Sequence, residues 1–200
     1  MKFQSWSLQK VLPYILLIGG IVGYVCASII MYDKVRILNT HYIPSCDLNP
    51  IVSCGSVMQS KQATAFGVPN PFIGLGGFPI IATVGAAMLA GAKFKRWFWL
   101  GVNVGLLFAV GFVHWLFFES VYRIHALCPW CMVVWVTSIT TFWYVTLYNF
   151  DQKNIRIPNV KTQKTFYWVR HHHLDLLILW LLIIAVFILK HFWYYYGQHI

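Results

Sequence analysis

Apolar residues run along this chain in long blocks separated by short polar intervals. Five blocks are long enough to cross a bilayer: Val11 to Met31, Pro71 to Ala92, Trp97 to Phe118, Cys128 to Tyr148, and Leu176 to Tyr196. Each approaches or exceeds the roughly 20 residues that a helix needs for about 30 Å of hydrocarbon. None alternates as a strand would. In lipid the backbone must satisfy its own hydrogen bonds, so the blocks predict five transmembrane helices. The first block follows Lys2 and Lys10, as the core of a signal peptide would. It exceeds the usual span of about 7–15 apolar residues and no small-residue cleavage site follows, so it reads as a span.

The polar intervals differ in character. Tyr32 to Asn70 is the longest outer one, with Pro44, Pro50, two cysteines, and a stretch from Gly55 to Phe66 that predicts a short helix on the surface. The intervals at Lys93–Arg96 and Glu119–Leu127 are tight, which predicts spans two, three and four as antiparallel neighbours. Asp151 to Asp175 reads as a basic, polar loop. His171–His173 at its end reads as an interfacial basic cluster rather than a metal tract. Trp193-Tyr194-Tyr195-Tyr196 reads as an aromatic belt.

Composition narrows the class. Of 200 residues, 59% are hydrophobic and 10% charged. Soluble domains carry about 25% charged residues, so a soluble globule is excluded, and disorder with it. The net charge of +10 does not make a nucleic-acid binder, because the basic residues sit singly or in small groups between apolar blocks. Their distribution reports orientation instead. With a cytoplasmic N-terminus, the inner segments hold Lys2, Lys10, Lys93, Lys95, Arg96, Lys153, Arg156, Lys161, Lys164 and Arg170. The outer segments hold Lys34, Arg36, Lys61, Arg123 and Lys190, half as many. The expectation is N-in and C-out.

That orientation uses lysines and arginines alone, yet it puts four of the five cysteines on the outer side. Cys46 and Cys54 stand in the long interval with seven residues between them. Cys128-Pro129-Trp130-Cys131 opens span four. Outside the cytoplasm disulfides form and persist. Pro129 suits the first helical position, so Cys128 falls near the N-cap and Cys131 one turn on. The positive end of the helix dipole favours thiolate there, and thiolate is the nucleophile of disulfide exchange. Cys131, the deeper thiol, is the better placed to meet a lipid-soluble molecule. Cys26, mid-span, reads as a small core hydrophobe. Zinc is disfavoured because the wider pair lacks the usual spacing. Structural bracing by Cys46 and Cys54 stays open, whereas a C-x-x-C disulfide closes too small a loop to brace much.

Taken together, these residues resemble the vitamin K epoxide reductase family of membrane thiol–quinone oxidoreductases. The resemblance rests on Cys46-Asp47, Ser53-Cys54, the run Phe66-Gly67-Val68-Pro69-Asn70-Pro71-Phe72 at the start of span two, and Cys128-Pro129-Trp130-Cys131. It covers about Val11 to Tyr148 and is nearest the prokaryotic branch. It implies an all-α membrane fold: a four-helix transmembrane bundle around a quinone, a fifth transmembrane helix, an outer cysteine loop and a surface half-helix. The corresponding division is a catalytic unit over residues 1–150, a basic cytoplasmic loop over 151–175, and the fifth helix with a short tail over 176–200. It implies catalytic roles for Cys46, Cys54, Cys128 and Cys131. Cys46 exchanges with a thioredoxin-like or DsbA-like partner, Cys54 passes electrons to Cys128, and Cys131 faces the quinone. Asn70 matches an asparagine that binds a quinone carbonyl. Trp135 stands where animal members have a tyrosine. The implied electron acceptor is a membrane quinone, menaquinone or ubiquinone, with no metal. Relatives often carry a fused thioredoxin-like domain after span five; this chain ends at Ile200, so a separate partner protein is expected.

Two other readings stay open. A DsbB-like quinone reductase of different ancestry performs the same reaction, but normally has its C-x-x-C in the first outer loop, the reverse of this chain. A membrane subunit with structural disulfides needs no chemistry at all. His114 and Glu119, near the outer end of span three, read as interfacial groups rather than proton donors.

Overall fold

The computed structural model describes residues 8–40, 42–155 and 160–196, with side chains at 160–163 and 195–196 excepted. Of the basic residues counted above, Lys2 and Arg156 lie outside the described residues, and so does the side chain of Lys161. The side chains of Tyr195 and Tyr196 in the expected belt do too.

The helices in chain order are α1 (Leu8–Asn39), α2 (Cys54–Gln59), α3 (Pro71–Leu89), α4 (Arg96–Glu119), α5 (Pro129–Asp151), α6 (Val160–His171) and α7 (His173–Tyr196). Five of them, α1, α3, α4, α5 and α7, are long and apolar enough to cross a membrane, one for each predicted block. The chain is an all-helical, multi-pass membrane protein. Local chemistry sets the boundaries. Pro71 and Pro129 occupy the first turns of α3 and α5, where a missing N–H costs nothing. Gly91, at φ 89°, lets the chain turn after α3 in a conformation that other residues resist.

Three local expectations need correction. First, α1 does not stop at Met31 but continues to Asn39, because Asp33 and Lys34 are buried beneath the cysteine loop instead of meeting solvent. Second, the surface helix expected over Gly55–Phe66 is split. Ser60 is extended, at ψ 154°, between α2 and a 3-10 turn at Lys61–Thr64. Third, the interval 151–175 is not simply a loop. It contains α6, which has no Gly or Pro and carries Phe166 and Val169 against the core. Arg170 ties α6 to Asp151 through an ion pair.

Packing in lipid depends on close approach more than on hydrophobicity. α1 is the centre of the bundle and packs on α3 and α5, while α5 packs on α4. Glycine allows the α1–α3 contact. A Cβ at Gly20 would sit 2.5 Å from the Ala82 nitrogen, and one at Gly85 would sit 2.5 Å from the Leu17 nitrogen. α3 and α4, joined by the short Lys93 interval, hardly touch. The expectation that spans two and three pack as neighbours therefore fails along most of their length. α7 leans on the outside of α4 and α5. Trp180 Nε1 donates to His114 Nε2 at 3.0 Å, and Trp143 Nε1 donates to the His173 carbonyl at 3.0 Å. His114 is thus committed to helix packing.

Candidate redox site

Cys128 is the N-cap of α5, with extended backbone at φ −107°, and its Sγ accepts the backbone N–H of Cys131 at 3.4 Å. The sequence placed both thiols at this helix start, and they are there. Cys128 is fully buried; Cys131 is partly exposed; both are free thiols. The N–H that points at Cys128 is one of the four otherwise unpaired donors of the helix start.

Cys46 and Cys54 are joined as a disulfide, with Cα atoms 5.7 Å apart. Their loop is folded by its own polar groups. Asn49 Oδ1 accepts from the N–H groups of Ile51 at 2.9 Å and Val52 at 2.7 Å. Asp47 Oδ1 accepts from the Gly55 N–H at 2.8 Å. A Cβ at Gly55 would lie 2.6 Å from Asp47 Oδ2, so this approach needs glycine. The loop is then stitched to the chain leading into α5. Leu127 N–H donates to the Ile51 carbonyl at 2.6 Å, and Ser53 N–H donates to the Leu127 carbonyl at 3.0 Å. Ile30, Cys46, Cys54, Met58 and Cys128 form one buried cluster, with Cys131 packed against it. All four candidate cysteines come together. Cys46, Asp47 and Cys54 are close enough to suggest a metal group, but both sulfurs are spent in the disulfide.

Beneath this cluster lies a cavity of about 560 Å³, bounded by α1, α3, α4 and α5 and roofed by the 3-10 turn. Of the five cysteines only Cys131 lines it. The wall is mostly apolar. The cavity follows the space between α3 and α4, where Gly77, Gly101 and Gly105 face open volume with no atom within 4 Å of an added Cβ. Ile80 and Phe108 line it and yet are largely exposed, so it opens sideways between these two helices.

Asn70 and Trp135 both line the cavity. Asn70 stands at the N-cap of α3 but makes no side-chain cap bond. Its Nδ2 donates to the Gln62 carbonyl at 2.7 Å and its Oδ1 accepts from the Ala65 N–H at 3.0 Å. Its amide therefore braces the roof and retains one Nδ2 hydrogen. Trp135 is 5% exposed and meets Phe117 edge-on, with ring centroids 5.7 Å apart.

Three features escaped sequence reasoning. Glu119 is buried rather than interfacial. It accepts from Gln62 Nε2 at 3.0 Å and pairs with the exposed Arg123 at 3.5 Å. Lys34 lines the cavity and donates to the Ala63 carbonyl at 3.2 Å. Cys26 is buried in α1, near enough to Cys128 and Cys131 to interact electrostatically with both, although it does not line the cavity. The charges of Asp33 and Lys34 within an otherwise apolar helix were the available signal for burial with partners.

A paired disulfide and dithiol, buried together above an apolar chamber inside a membrane bundle, define a membrane thiol–disulfide oxidoreductase. The model of the vitamin K epoxide reductase family matches residues 14–146, and the chain belongs to that family. Among curated protein sequences nothing matches it.

Proposed function

We propose that this protein oxidises the thiols of a separate thioredoxin-like partner and reduces a membrane quinone, so supporting disulfide formation outside the cytoplasm. The observation that carries the reading is that Cys131 alone among the cysteines lines the cavity, while Cys128 behind it shares one buried cluster with both cysteines of the loop disulfide. The catalytic unit is residues 1–150, with the N-terminus cytoplasmic and the cysteines on the extracytoplasmic side. Reduced partner attacks Cys46 of the loop disulfide and is released oxidised, leaving two loop thiols. The Cys54 thiolate then exchanges with a Cys128–Cys131 disulfide, which quinone has formed. Each cycle moves two electrons and two protons from partner to quinone, with no metal in the path.

The cavity suits such an acceptor. An apolar ring with a long apolar tail fits a chamber that is glycine-walled and open to lipid, and Asn70, Lys34, Trp135 and Ser138 are among the polar side chains of its wall that can meet the carbonyls. The spare Nδ2 hydrogen of Asn70 is available to one carbonyl. Menaquinone and ubiquinone both satisfy these demands. Extraction of the purified protein with organic solvent, followed by mass spectrometry, tests the reading. It fails if no quinone is recovered and the thiols of Cys128 and Cys131 do not oxidise when quinone is supplied.

A further inference from the structure

Lys34 sits in α1 one turn beyond Ile30, with 5% of its surface exposed. No carboxylate lies within 4.0 Å of its ammonium among the described residues. Its neighbour Asp33 is buried too but makes no ion pair with it. Among the described residues, the one hydrogen bond of the Lys34 ammonium goes to a neutral acceptor, the Ala63 carbonyl. A buried ammonium so weakly compensated is strongly disfavoured unless negative charge meets it. Lys34 is also the one charged side chain in the cavity wall among the described residues. Of the other polar groups of that wall, Gln62 is committed to Glu119, Ser120 to the Ala126 carbonyl and Ser60 to the Val57 carbonyl, while the Ser138 hydroxyl is neutral.

We propose that the Lys34 ammonium is a catalytic group that contacts one oxygen of the quinone and holds the negative charge which that oxygen gains on reduction. This rests on the quinone reading above. In the step concerned, the Cys128 and Cys131 thiols give up two electrons and two protons and form one S–S bond. The quinone takes both electrons and both protons and becomes a quinol. An Nζ–H of Lys34 passes to the charged oxygen, and a proton released by the thiols restores the ammonium. No other oxidant or reductant is needed. A charge-assisted hydrogen bond in a dry site is worth more than a neutral one.

Binding of two small naphthoquinones to the oxidised protein in detergent, read by quenching of tryptophan fluorescence, tests this. The first probe, 2-methyl-1,4-naphthoquinone, is neutral. The second, 2-hydroxy-1,4-naphthoquinone, is an anion at neutral pH and carries negative charge on its oxygens. Wild type binds the anion more tightly. Lys34→Gln, which keeps a donor for the Ala63 carbonyl, weakens the anion by about tenfold or more and leaves the neutral probe nearly unchanged. Lys34→Arg restores the preference. Equal weakening of both probes, or of neither, overturns the proposal and leaves Lys34 as a brace of the roof. If Lys34→Gln does not fold, wild type decides alone: binding the neutral probe as tightly as the anion overturns it. A wild type that cannot reduce 2-methyl-1,4-naphthoquinone with dithiothreitol as thiol donor overturns the quinone reading itself, and this proposal with it.

Discussion

The backbone N–H of Ser53 donates to the carbonyl of Leu127 at 3.0 Å, and each of these residues immediately precedes a cysteine of a different pair. Cys54 therefore begins α2 beside the point where Cys128 caps α5. A loop rich in turn residues suggests a mobile carrier. The hydrogen bonds instead hold Cys54, fully buried, in the same cluster as Cys128. On the relay proposed above, transfer between the pairs needs rotation of side chains more than travel of the loop.

That geometry predicts the mixed disulfide. In Cys131→Ser the Cys128 thiolate attacks Cys54 of the loop disulfide and releases the Cys46 thiolate, and with no thiol at position 131 to resolve it the joined species is stranded. Cys131→Ser is expected to accumulate a Cys54–Cys128 disulfide, identified by mass spectrometry of non-reduced peptides. Recovery of Cys46–Cys54 alone, with Cys128 free under oxidising conditions, would make the loop pair a brace.

The three buried or half-buried free thiols are expected to differ in importance. Cys128→Ala and Cys131→Ala abolish thiol-dependent quinone reduction, because Cys131 is the one cysteine that lines the cavity and Cys128 is the thiol it must pair with. Cys26→Ala retains most of it, since Cys26 is near the pair but walled off from the cavity. Steady-state turnover with dithiothreitol measures this, and an inactive Cys26→Ala with intact folding would show that a third thiol takes part.

Asn70 braces the roof through two hydrogen bonds. Asn70→Ala is expected to lower stability by about 1–2 kcal/mol and to raise KM for quinone, while Cys46–Cys54 still forms. Thermal unfolding in detergent gives the first and turnover the second. Lower stability with unchanged quinone kinetics would confine Asn70 to bracing.

The wall between α3 and α4 is expected to discriminate by tail. A Cβ at Gly105 meets no atom within 4 Å, so Gly105→Leu adds bulk to open volume and is expected to leave folding intact. Turnover falls for long-tailed quinones and holds for short-tailed ones, measured side by side. An equal effect on both would mean the tail does not lie there.

Membrane orientation has its own check. Cysteines introduced at positions 93 and 160 should be labelled only from the cytoplasmic side, since inner segments carry twice the basic residues of outer ones. Labelling of either from outside would also move the redox site to the wrong compartment.

Much of this architecture was legible in order and chemistry. Span number followed from apolar length, and the placing of Cys128 and Cys131 followed from Pro129 at a helix start. What the sequence hid was which face of each helix meets which neighbour. In lipid the outward and inward faces of α3 and α4 are both apolar, so no periodicity reports that Gly77 and Gly105 border a void. The partner of Lys34 was hidden too, because its acceptor, the Ala63 carbonyl, is a backbone group 29 residues away. The helix α6 was missed because its polar composition outweighed its lack of Gly and Pro.

The sideways opening between α3 and α4 changes what concentration means for this protein. A guest that enters from the bilayer is never dissolved in water, so its occupancy follows its mole fraction among lipids. Adding detergent or lipid at constant total quinone dilutes it in two dimensions. An apparent KM quoted in molar units would then drift with the amount of amphiphile in the tube, and rates from different preparations become comparable only when expressed per lipid.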